Sequence, residues 1–557
     1  MTETPEFRVG EAPTLNLPDV EREELPIDVA IVGGGPAGVA TAYHLAKLVE
    51  RHNAEVEKSG GEPLEIEIAL LEKGAELGSL GLSGAVMDPR AIRELLGDDW
   101  DPSLIEGAAP VAADRTVFLT RKGHFKLPFT PPTLRNEGKV VISLAKLLRW
   151  FEPKLEELGV NVFTGMPAAL PLYAGGEGSA ARVVGVQCRD MGIGKDGKPK
   201  GNYEPGANVT ARVTVLAEGP RGNIGKYLIP YLGLDTGRNA QTYGTGVKEV
   251  WRLPEGAPDR TGEVIHTMGY PLGNKHLGGG WIYFLSNRLV SVGYVTYLDF
   301  EDPCIDPHRE FQKFKLHPFV REILDGGEIV DYGAKTLVGG GWWAVPRLAH
   351  DGVLLVGDTA GFTNTMTLKG IHYAIKSGML AAETILEALV ADDVSRDVLG
   401  RYEQKVEASY IKEELWKARN FHQSFSSGVY WGMFKTGFRM MFGGRGFKDR
   451  LPSLPDHTRY KTFEQIYDTR EVPPDICDDG TRFDNRYTFD KVTDVYHSGT
   501  THDEDQPPHL LVRDPDICVG RCTVEYGNPC ERFCPAGVYE MVEDPESPAG
   551  RRLQLNF

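Results

Sequence analysis

Short apolar runs, separated by polar turns and helical segments, recur along the chain and predict an α/β unit. Residues 28–32 and 66–71 form two such runs near the N-terminus, and residues 213–219 and 352–358 form two more. Apolar runs of this length between turn residues are typical of buried strands. We therefore expect a Rossmann-like domain whose strands come from separate parts of the sequence.

A glycine-rich turn follows the first of these runs. Gly33, Gly35 and Gly38 have the GxGxxG spacing, which allows a tight turn, close approach of the backbone to a pyrophosphate and close helix packing. The second run leads to Glu72, where a carboxylate can accept hydrogen bonds from a ribose. The polar stretch 51–63 is interpreted as an insertion after the helix, because it lengthens the usual interval between glycines and acid. The context favours a dinucleotide site over a purely structural turn.

Two later segments offer further contacts to a flavin. The run 213–219 ends in the small residues Ala217 and Gly219, and the run 352–358 ends in Gly357 and Asp358. The Asp358 carboxylate is placed to hold a ribityl hydroxyl group, although a strand-end turn or a helix cap is the alternative for this residue alone. A helix predicted to begin near Gly370 and Ile371 offers N–H groups to the pyrimidine edge of a flavin.

Alternating apolar and polar positions between residues 241 and 300 predict a mixed sheet. Residues 281–285 and 289–297 are its clearest strands. A glycine run that includes Gly278 and Gly279 precedes the first of them. From the residues alone, a bulge or a strand edge is favoured over a ligand site.

An aromatic stripe at helical spacing lies within residues 429–447, interleaved with the basic residues Lys435 and Arg439. Such a stripe is more often core than membrane-facing, but basic residues around it suit anionic lipid headgroups. A second apolar segment, 125–132, contains several prolines. No apolar run reaches the roughly 18 residues needed to span a bilayer. The stripe consists of Tyr430, Phe434, Phe438, Met441 and Phe442.

Four cysteines, Cys518, Cys522, Cys530 and Cys534, lie close together near the C-terminus. The last two, followed by Pro535, have the spacing that ends a bacterial ferredoxin half-motif, whose other half would lie downstream. No further cysteine follows, so we expect the chain to be truncated before a CxxCxxC segment. The alternatives are a cluster held by these four cysteines themselves, structural zinc, or loss of the cluster in evolution.

Composition narrows the function classes. The 557 residues are 41% hydrophobic and 25% charged, which is typical of a globular protein of several domains. The net charge of −18 argues against nucleic acid as a partner. The first 26 residues have neither a secretion signal nor a transit-peptide pattern. The seven cysteines do not have the distribution of a secreted disulfide framework, which favours a reducing compartment.

From about residue 28 to its end, the chain resembles the electron transfer flavoprotein-ubiquinone oxidoreductase family. The resemblance is carried by whole segments as well as by the glycine and cysteine motifs. The segment from Leu71 includes Gly84, a further candidate for cofactor binding. The matching segments are GGGPAGVATAYHL from Gly33, LEKGAELGSLGLSGAVMDPRAI from Leu71, QTYGTGVKEVW from Gln241, REFQKFKLHP from Arg309, KGIHYAIKSGMLAAETI from Lys369, HSGTTHDEDQPPHL from His497 and RFCPAGVYE from Arg532.

The resemblance implies a reaction in which electrons arrive from reduced electron transfer flavoprotein and leave on ubiquinone. It implies FAD and a 4Fe-4S cluster as cofactors, and an oxidoreductase of the electron-transferring-flavoprotein dehydrogenase class. No catalytic side chain is expected, because the cofactors transfer the electrons. Gly278 and Gly279 match the quinone-contacting pair of the family. The resemblance therefore favours a ligand site at this glycine run over a bulge or a strand edge. Cys534 matches one cluster ligand, whereas the family's other three ligands have no counterpart.

The family is also monotopic, so the resemblance implies attachment to a membrane surface, on the inner face of a bacterial cytoplasmic membrane. The fold class expected is a Rossmann-like FAD domain with an inserted mixed-sheet quinone-binding domain and a C-terminal ferredoxin-like domain. The expected divisions are an N-terminal tail (1–26), the FAD domain (27–120, 140–230 and 345–425), the quinone-binding domain (121–139 and 231–344) with a membrane-surface segment (426–450), and the iron-sulfur domain (451–557).

Three other functions are open at this point. A geranylgeranyl-reductase or hydroxylase-like FAD oxidoreductase would share the glycine and Gly-Asp motifs but would not need the cysteine-rich tail. A ferredoxin-like adaptor that docks to a flavoprotein would not bind FAD. An electron-donor branch toward nitrogenase is a variant of the favoured function.

Overall fold

A computed structural model of the protein describes residues 6–81, 84–446, 448–469, 476–501 and 503–556. The strands are β1 (Arg8–Val9), β2 (Glu24–Val32), β3 (Ile68–Leu71), β4 (Ala85–Met87), β5 (Ala109–Pro110), β6 (Ala113–Leu119), β7 (His124–Lys126), β8 (Val140–Ile142), β9 (Asn161–Phe163), β10 (Ala168–Gly175), β11 (Ala181–Cys188), β12 (Met191–Ile193), β13 (Pro199–Glu204), β14 (Asn208–Leu216), β15 (Tyr243–Arg252), β16 (Glu263–Gly269), β17 (Gly278–Phe284), β18 (Leu289–Tyr297), β19 (Glu328–Val338), β20 (Ala349–His350), β21 (Val353–Leu355), β22 (Tyr539–Glu543) and β23 (Arg551–Leu555).

The α-helices come mainly from the segments between these strands. They are α1 (Pro36–Lys58), α2 (Arg90–Leu96), α3 (Leu144–Glu157), α4 (Gly225–Tyr231), α5 (Pro307–Leu316), α6 (Pro318–Leu324), α7 (Ile371–Val390), α8 (Arg396–Leu399), α9 (Arg401–Glu407), α10 (Tyr410–Lys417), α11 (Val429–Met440), α12 (Phe463–Tyr467), α13 (Lys491–His497), α14 (Pro515–Ile517), α15 (Thr523–Tyr526) and α16 (Cys530–Phe533).

The first large sheet has a parallel centre. Strands β21, β14, β2, β3 and β9 pair in parallel, and β11, β10 and β1 extend the sheet with antiparallel pairs. Helix α1 packs against α7 over the main core, where β2 buries Val29 and Ile31 completely. The carboxyl ends of β2, β3, β14 and β21 lie at one edge of this sheet, which is where open α/β sheets bind their ligands. The predicted Rossmann-like unit is confirmed.

The second large sheet has the order β19-β15-β18-β17-β16-β6-β7, and its pairs are antiparallel except for β16 with β6. One face packs against α5 and α6 through a core that includes Phe311 and Phe314. The other face covers the first unit, because Tyr283 packs with Val86 and Val141 of the small sheet β4-β8-β5. The predicted mixed sheet is confirmed.

The structure differs from several predicted boundaries. Helix α1 extends to Lys58, so most of the stretch 51–63 is helix, not an insertion after it. Strand β6 lies in the second sheet, although its residues fall within the range assigned to the FAD domain. Within the first 26 residues, β1 pairs with β10 and Arg22 forms an ion pair with the buried carboxylate of Asp190. The N-terminal segment is therefore partly packed on the first sheet.

The C-terminal region is built from short helices, a π-helical turn at Cys518–Cys522 and the hairpin β22-β23. A disulfide joins Cys304 to Cys477, whose Cα atoms are 4.9 Å apart. This bridge was not predicted, because two scattered cysteines give no sequence signal of pairing. No helix in the described part of the chain is long and apolar enough to cross a membrane.

Candidate functional site

The glycine turn between β2 and α1 has the geometry of a phosphate-binding site. Gly33 has a φ of 109°, and a Cβ atom there would overlap the carbonyl group of Ala217. A Cβ at Gly38 would overlap Gly33 O, so this glycine allows α1 to pack tightly on the turn. Among the described residues, no heavy atom lies within 4 Å of the Cβ position of Gly35, the N-cap of α1. The open side of the turn therefore faces space that a pyrophosphate can occupy.

Glu72 anchors the loop beside this turn. Its Oε2 accepts a hydrogen bond of 2.8 Å from Gly34 N, and its Oε1 accepts one of 2.6 Å from Gly74 N. A carboxylate that accepts hydrogen bonds from two backbone N–H groups is fixed in direction, with lone pairs left for a ribose. The position at the end of β3 is the one that the sequence predicted for a ribose-binding acid.

Asp358 lies at the same edge of the sheet, after β21. The Thr363 hydroxyl group donates a hydrogen bond of 2.6 Å to Asp358 Oδ1. Burial raises the pKa of Asp358, while this hydrogen bond and the charge of Lys335 oppose the rise. Gly370 caps the 20-residue helix α7, which begins at Ile371, and a Cβ at Gly370 would lie 3.7 Å from Asp358 Oδ1. The carboxylate and the helix N-terminus therefore face the same space.

The other residues predicted to bind the cofactor border the same region as Asp358 and Gly370. Gly357 has a φ of 59°, and its N–H donates a hydrogen bond of 2.9 Å to the Ser377 hydroxyl group. Gly219 follows Ala217 with a φ of 77°, and its carbonyl oxygen accepts a hydrogen bond of 3.2 Å from Thr359 Oγ1. Gly84 packs on Ser291 of the second sheet, and it follows residues 82–83 of the matching segment, which lie outside the described residues.

Lys335 of β19 is a candidate that the sequence did not reveal. The residue is solvent-exposed, and the surrounding protein and the charge of Lys73 lower its pKa. Asp358 and Glu72 oppose this shift, so both carboxylates are near enough to act on the Lys335 charge. Nothing in the local sequence marks this lysine, because only the packing of the sheets brings it to these acids.

These observations test whether the residues fit FAD. The turn leaves open space at Gly35 for phosphate, two fixed carboxylates are available for hydroxyl groups, and the N-terminus of α7 is free for the acceptor edge of a flavin. Positive charge at Lys335 suits a dianionic pyrophosphate or a reduced flavin. The residues fit the cofactor.

The two candidate quinone glycines lie in β17 where backbone groups approach closely. A Cβ at Gly279 would lie 2.8 Å from Thr267 O, and one at Gly278 would lie 2.5 Å from Val295 O. Neither position has room for a side chain, so both glycines present bare backbone.

Gly279 belongs to a row that crosses all seven strands of the second sheet. Paired residues share one face of a sheet, and this row is on the face that covers the first unit. It begins with Lys335, on which the charges of Asp358 and Glu72 act, and ends at the exposed Phe125. In strand order the row is Lys335, Gly246, Val295, Gly279, Met268, Phe118 and Phe125. The step from Gly279 to Met268 continues the register of the Thr267–Gly280 pair by one position.

The end of this row meets an exposed aromatic surface. Phe118 stacks on Phe125 with ring centroids 5.2 Å apart and lies 6.4 Å from the Tyr430 ring of α11. We call the exposed apolar side chains of β7, the loop after it, α11 and the two residues after α11 the aromatic patch. Several are more than half exposed, which is unusual for side chains of this size. The patch comprises Phe125, Phe129, Tyr430, Trp431, Phe434, Phe438, Met441 and Phe442.

The four clustered cysteines are half-buried thiols. Burial and then the charge of Cys522 raise the pKa of Cys530 to about 11. Burial, followed by the charge of Cys518, also raises the pKa of Cys522. Within the described residues, however, no three His, Cys, Asp or Glu side chains converge as a metal site. The structure therefore does not assemble the predicted set Cys518, Cys522, Cys530 and Cys534 into a self-contained centre.

The loop after Cys534 is held by the second sheet. Tyr332 of β19 donates a hydrogen bond of 3.0 Å from its hydroxyl group to Pro535 O. Arg532 Nε donates one of 2.7 Å to Pro303 O, next to the disulfide-bonded Cys304. These bonds fix the position of the cysteine-bearing segment relative to the sheet.

Comparisons with known proteins agree with this arrangement. Residues 243–337 match the family model "ETF-QO, ubiquinone-binding", and residues 485–557 match "Electron transfer flavoprotein-ubiquinone oxidoreductase, 4Fe-4S". The chain is 38% identical to the human mitochondrial electron transfer flavoprotein-ubiquinone oxidoreductase, over 97% of this chain and 85% of that protein. It is 37% identical to the Pseudomonas aeruginosa electron transfer flavoprotein-ubiquinone oxidoreductase, over 96% of this chain and 94% of that protein.

A third relative and a solved structure complete the comparison. The probable electron transfer flavoprotein-ubiquinone oxidoreductase of Acinetobacter baylyi is 36% identical, over 96% of this chain and 93% of that protein. A geranylgeranyl bacteriochlorophyll reductase-like protein from Thermoplasma acidophilum has a similar fold, with a TM-score of 0.53 and 18% identity. The likeness covers 76% of this chain and 92% of the other, and at this identity it concerns the fold alone.

Proposed function

The chain belongs to the family of electron transfer flavoprotein-ubiquinone oxidoreductases, and we propose that its FAD, quinone and membrane sites are connected by one row of residues in the second sheet. It is an oxidoreductase of the electron-transferring-flavoprotein dehydrogenase class. Its cofactors are FAD, a 4Fe-4S cluster and ubiquinone. It takes electrons from reduced electron transfer flavoprotein and reduces ubiquinone.

The observation that carries the proposal is the row from Lys335 to Phe125. Its first residue is close enough to Asp358 and Glu72 for their charges to act on it, its middle residue is Gly279, and its last residue is exposed. One continuous face of the sheet thus leads from the flavin-binding carboxylates to the aromatic patch. A quinone headgroup at Gly279 would place its isoprenoid tail along Met268 and Phe118, toward the surface.

On the FAD side, the chain supplies binding and orientation. The N–H groups at the start of α1 receive the pyrophosphate beside Gly35, Glu72 holds the ribose and Asp358 holds the ribityl chain. The bound FAD supplies the two-electron chemistry. The N-terminus of α7 at Gly370 and Ile371 favours negative charge that develops on the flavin ring. The second sheet covers this space and limits access of water.

On the quinone side, Gly278 and Gly279 let the headgroup approach the backbone of β17. The bare backbone excludes side chains larger than hydrogen, since added Cβ atoms would meet Val295 O and Thr267 O. A flat ring can then lie against the strand at a distance that a larger residue would prevent. A headgroup against Gly279 would lie on the same face of the sheet as Lys335, whereas the neighbouring Gly278 is on the opposite face.

The aromatic patch supports peripheral, monotopic attachment to a membrane. Phe129 and Phe434 are each 64% exposed, and Trp431 is 58% exposed. Basic residues such as Lys435 and Arg439 lie along the same helix, as in helices that rest in the headgroup region. Attachment through this patch would bring the end of the residue row to the lipid phase, where ubiquinone dissolves. In a bacterium, the inner face of the cytoplasmic membrane is the corresponding location.

For the iron-sulfur cluster, we propose Cys534 as a ligand, because it occupies the position that the family resemblance gives to a ligand. The described residues do not supply a complete ligand set, so no step is assigned through the cluster. The chain's own contribution is the fixed loop: Tyr332 and Arg532 hold the residues on either side of Cys534. Cys518, Cys522 and Cys530 are weaker candidates.

A visible spectrum and a quinone-reduction assay of the purified chain test the function. We expect flavin absorption bands, and oxidation of reduced electron transfer flavoprotein that depends on added ubiquinone-1. Absence of bound flavin would contradict the FAD assignment. Rapid oxidation of NAD(P)H instead would favour the reductase or hydroxylase class, which shares the fold. That class would not explain the family matches at residues 243–337 and 485–557.

A further inference from the structure

Two buried side chains on the face of the second sheet that covers the first unit have polar atoms without hydrogen-bond partners. His266 of β16 is 3% exposed, and no partner for its Nδ1 lies among the described residues. Thr116 of β6 is 1% exposed, and its hydroxyl group has no partner in the same part of the chain. Burying polar atoms without hydrogen bonds is costly, and such atoms are rare in folded proteins. Two of them on one face therefore require an explanation.

The register of the sheet makes these two side chains neighbours. His266 pairs directly with Thr116 between the parallel strands β16 and β6, and neighbouring strands are about 4.8 Å apart. Each residue lies two positions before a member of the row that contains Gly279, namely Met268 and Phe118, and therefore shares its face. His266 is a diagonal neighbour of Gly279, and such neighbours are about 7–8 Å apart. The two polar groups thus border the proposed headgroup position.

The indole ring next to His266 leans away from this position. Trp281 of β17 pairs with His266 on one side and with Gly293 of β18 on the other. A Cβ atom at Gly293 would overlap the Trp281 ring, so the ring lies over β18. Its Nε1 donates a hydrogen bond of 3.4 Å to the hydroxyl group of Ser291, which is also in β18. The indole ring therefore leaves the space between His266 and Gly279 to other groups.

The hydrogen bond to Tyr283 determines which nitrogen of His266 carries the proton. His266 Nε2 lies 2.9 Å from the buried Tyr283 hydroxyl group. Burial first, and then the charges of Lys369 and Lys139, lower the pKa of His266 to about 3, so the ring is neutral at physiological pH. A phenol is a stronger hydrogen-bond donor than a neutral imidazole, so Tyr283 donates to Nε2 and the ring proton lies on Nδ1. Nδ1–H and the Thr116 hydroxyl group are then two adjacent donors.

A third unpaired atom, Asp114 Oδ1, is an acceptor and lies further from Gly279. Asp114 is two positions before Thr116 in β6, one row beyond it on the same face. Its Oδ2 accepts hydrogen bonds of 2.7 and 3.2 Å from the backbone N–H and the side-chain amide of Asn136. Next to Gly279, the unpaired groups of the described residues can both donate. The ligand that they suit is one that accepts hydrogen bonds.

We propose that His266 Nδ1–H and the Thr116 hydroxyl group donate hydrogen bonds to one carbonyl oxygen of the quinone headgroup. This inference rests on the proposed quinone site at Gly279 and identifies the side chains that recognise the headgroup there. A carbonyl oxygen has two lone pairs and can accept from both donors. Reduction places negative charge on this oxygen, so the two donors bind the reduced headgroup more strongly than the quinone. A ligand without an oxygen at this place would leave both donors unpaired and bind poorly.

The test compares two electron acceptors with the FAD-containing holoenzyme reduced by electron transfer flavoprotein. Ubiquinone-1 can accept hydrogen bonds from the two side chains, whereas a ferrocenium salt cannot. Thr116→Val removes the hydroxyl group and keeps the shape of the side chain. We expect it to lower kcat/KM for ubiquinone-1 by about tenfold and to leave the ferrocenium rate unchanged. His266→Leu should show the same selective loss, and Thr116→Ser, which keeps a hydroxyl group, should retain most of the wild-type kcat/KM.

A matched control and a spectroscopic measurement separate recognition from structure. Thr214 of β14 is also completely buried and has an unpaired hydroxyl group within the described residues, but it lies in the first sheet. Thr214→Val should therefore leave kcat/KM for ubiquinone-1 unchanged. The infrared C=O stretch of bound ubiquinone-1, labelled with ¹³C at one carbonyl at a time, should move to lower wavenumber for one of the two carbonyls in wild type. This shift should be smaller in Thr116→Val.

The outcomes for the donors and for the quinone site are distinct. Wild-type kcat/KM for ubiquinone-1 in both Thr116→Val and His266→Leu would overturn the proposal, even if Gly279→Ala raises KM. Equal loss with both acceptors in these two variants, or the same selective loss in Thr214→Val, would also overturn it. A wild-type protein that reduces ferrocenium but not ubiquinone-1 would instead contradict quinone reduction itself.

Discussion

Tyr332 donates a hydrogen bond of 3.0 Å from its side-chain hydroxyl group to the carbonyl oxygen of Pro535. Tyr332 is buried in the second sheet, and Pro535 directly follows Cys534, the proposed cluster ligand. The sheet that carries the proposed quinone-site glycines therefore also positions the cysteine-bearing loop. This contact joins two residues that are 203 positions apart in the sequence.

Tyr332→Phe should loosen this loop without disturbing the sheet. The ring stays in place, and the loss of one buried hydrogen bond should lower the free energy of unfolding by about 1 kcal/mol. Chemical denaturation measures this change. Tyr496→Phe is the matched control, because the Tyr496 side chain is 83% exposed and its hydroxyl group should contribute little. Equal stability of the two variants would show that the Tyr332 hydrogen bond does not hold the loop.

Gly279→Ala should impair quinone reduction while FAD remains bound. The added methyl group would lie 2.8 Å from Thr267 O, so β16 or the headgroup must shift. We expect KM for ubiquinone-1 to rise by about tenfold, which corresponds to about 1.4 kcal/mol of lost binding. Gly201→Ala is the control, since in the described part of the chain no heavy atom lies within 4 Å of a Cβ added there. An unchanged KM in Gly279→Ala would remove Gly279 from the quinone site.

The strand-turn-helix pattern around Gly33 was predictable because its signal is local. The glycine spacing, the flanking apolar runs and Glu72 follow one another closely, and the structure places them together at one sheet edge. The limits of α1 were less predictable. Its last turns are polar and exposed, so their composition looks like that of a loop although the helix continues to Lys58.

The relationships between distant segments were not predictable from the chain alone. The charge of Asp358 acts on Lys335 only because strands from the two large sheets come together in the folded chain. The pairing of Cys304 with Cys477 spans 173 residues and depends on the same kind of packing. The sequence shows Lys369 as part of a segment that matches the family. It does not show that the side chain is buried without a carboxylate at ion-pair distance among the described residues. Side-chain environment, unlike periodicity, requires the three-dimensional arrangement.

Removing aromatic side chains from the patch should weaken membrane binding. Trp431 and Phe434 are exposed, so replacing both with Ser removes apolar area that would enter the lipid and leaves the core unchanged. We expect at least about tenfold weaker binding to vesicles that contain anionic lipid, because transfer of one large apolar side chain contributes about 1.5–3 kcal/mol. Co-sedimentation with vesicles measures this.

The control for the patch is a substitution elsewhere on the surface. Tyr496→Ser changes an aromatic residue outside the patch that is even more exposed, at 83%, than Trp431 or Phe434. Wild-type binding should also weaken at high salt, because Lys435 and Arg439 would contact anionic headgroups. Vesicle binding that is the same in Trp431→Ser/Phe434→Ser and in wild type would place the membrane contact elsewhere.

The disulfide between Cys304 and Cys477 should stabilise the C-terminal region. Removing a bridge that closes so long a loop typically lowers the free energy of unfolding by about 2–4 kcal/mol. Cys304→Ala/Cys477→Ala should therefore unfold earlier than the wild type, and reductant should lower the stability of the wild type only. Titration of the unfolded, metal-free wild-type chain should find five thiols. Seven thiols would show that the bridge does not form.

Glu249 should make stability depend on pH, because it is completely buried at the junction of the sheet with the C-terminal region. Its Oε2 accepts a hydrogen bond of 2.6 Å from Trp251 Nε1, and its Oε1 pairs with Lys315. Burial raises the pKa of Glu249 to about 7, despite the opposing charge of Lys315. Burial also raises the pKa of its neighbour Asp494 to about 6. Two acids in one buried site favour a bound proton.

The sign of the effect follows from this bound proton. The folded state holds a proton on Glu249 more tightly than the unfolded state, whose pKa is about 4.5. This stabilising contribution is complete below pH 4.5 and is lost as pH rises through about 7. Glu249→Gln cannot titrate, so its free energy of unfolding should fall less steeply than that of wild type between these two pH values. The control is Glu543→Gln at an exposed position, which should leave the pH dependence of the free energy of unfolding unchanged. The same pH dependence in Glu249→Gln and wild type would show that Glu249 does not take up this proton.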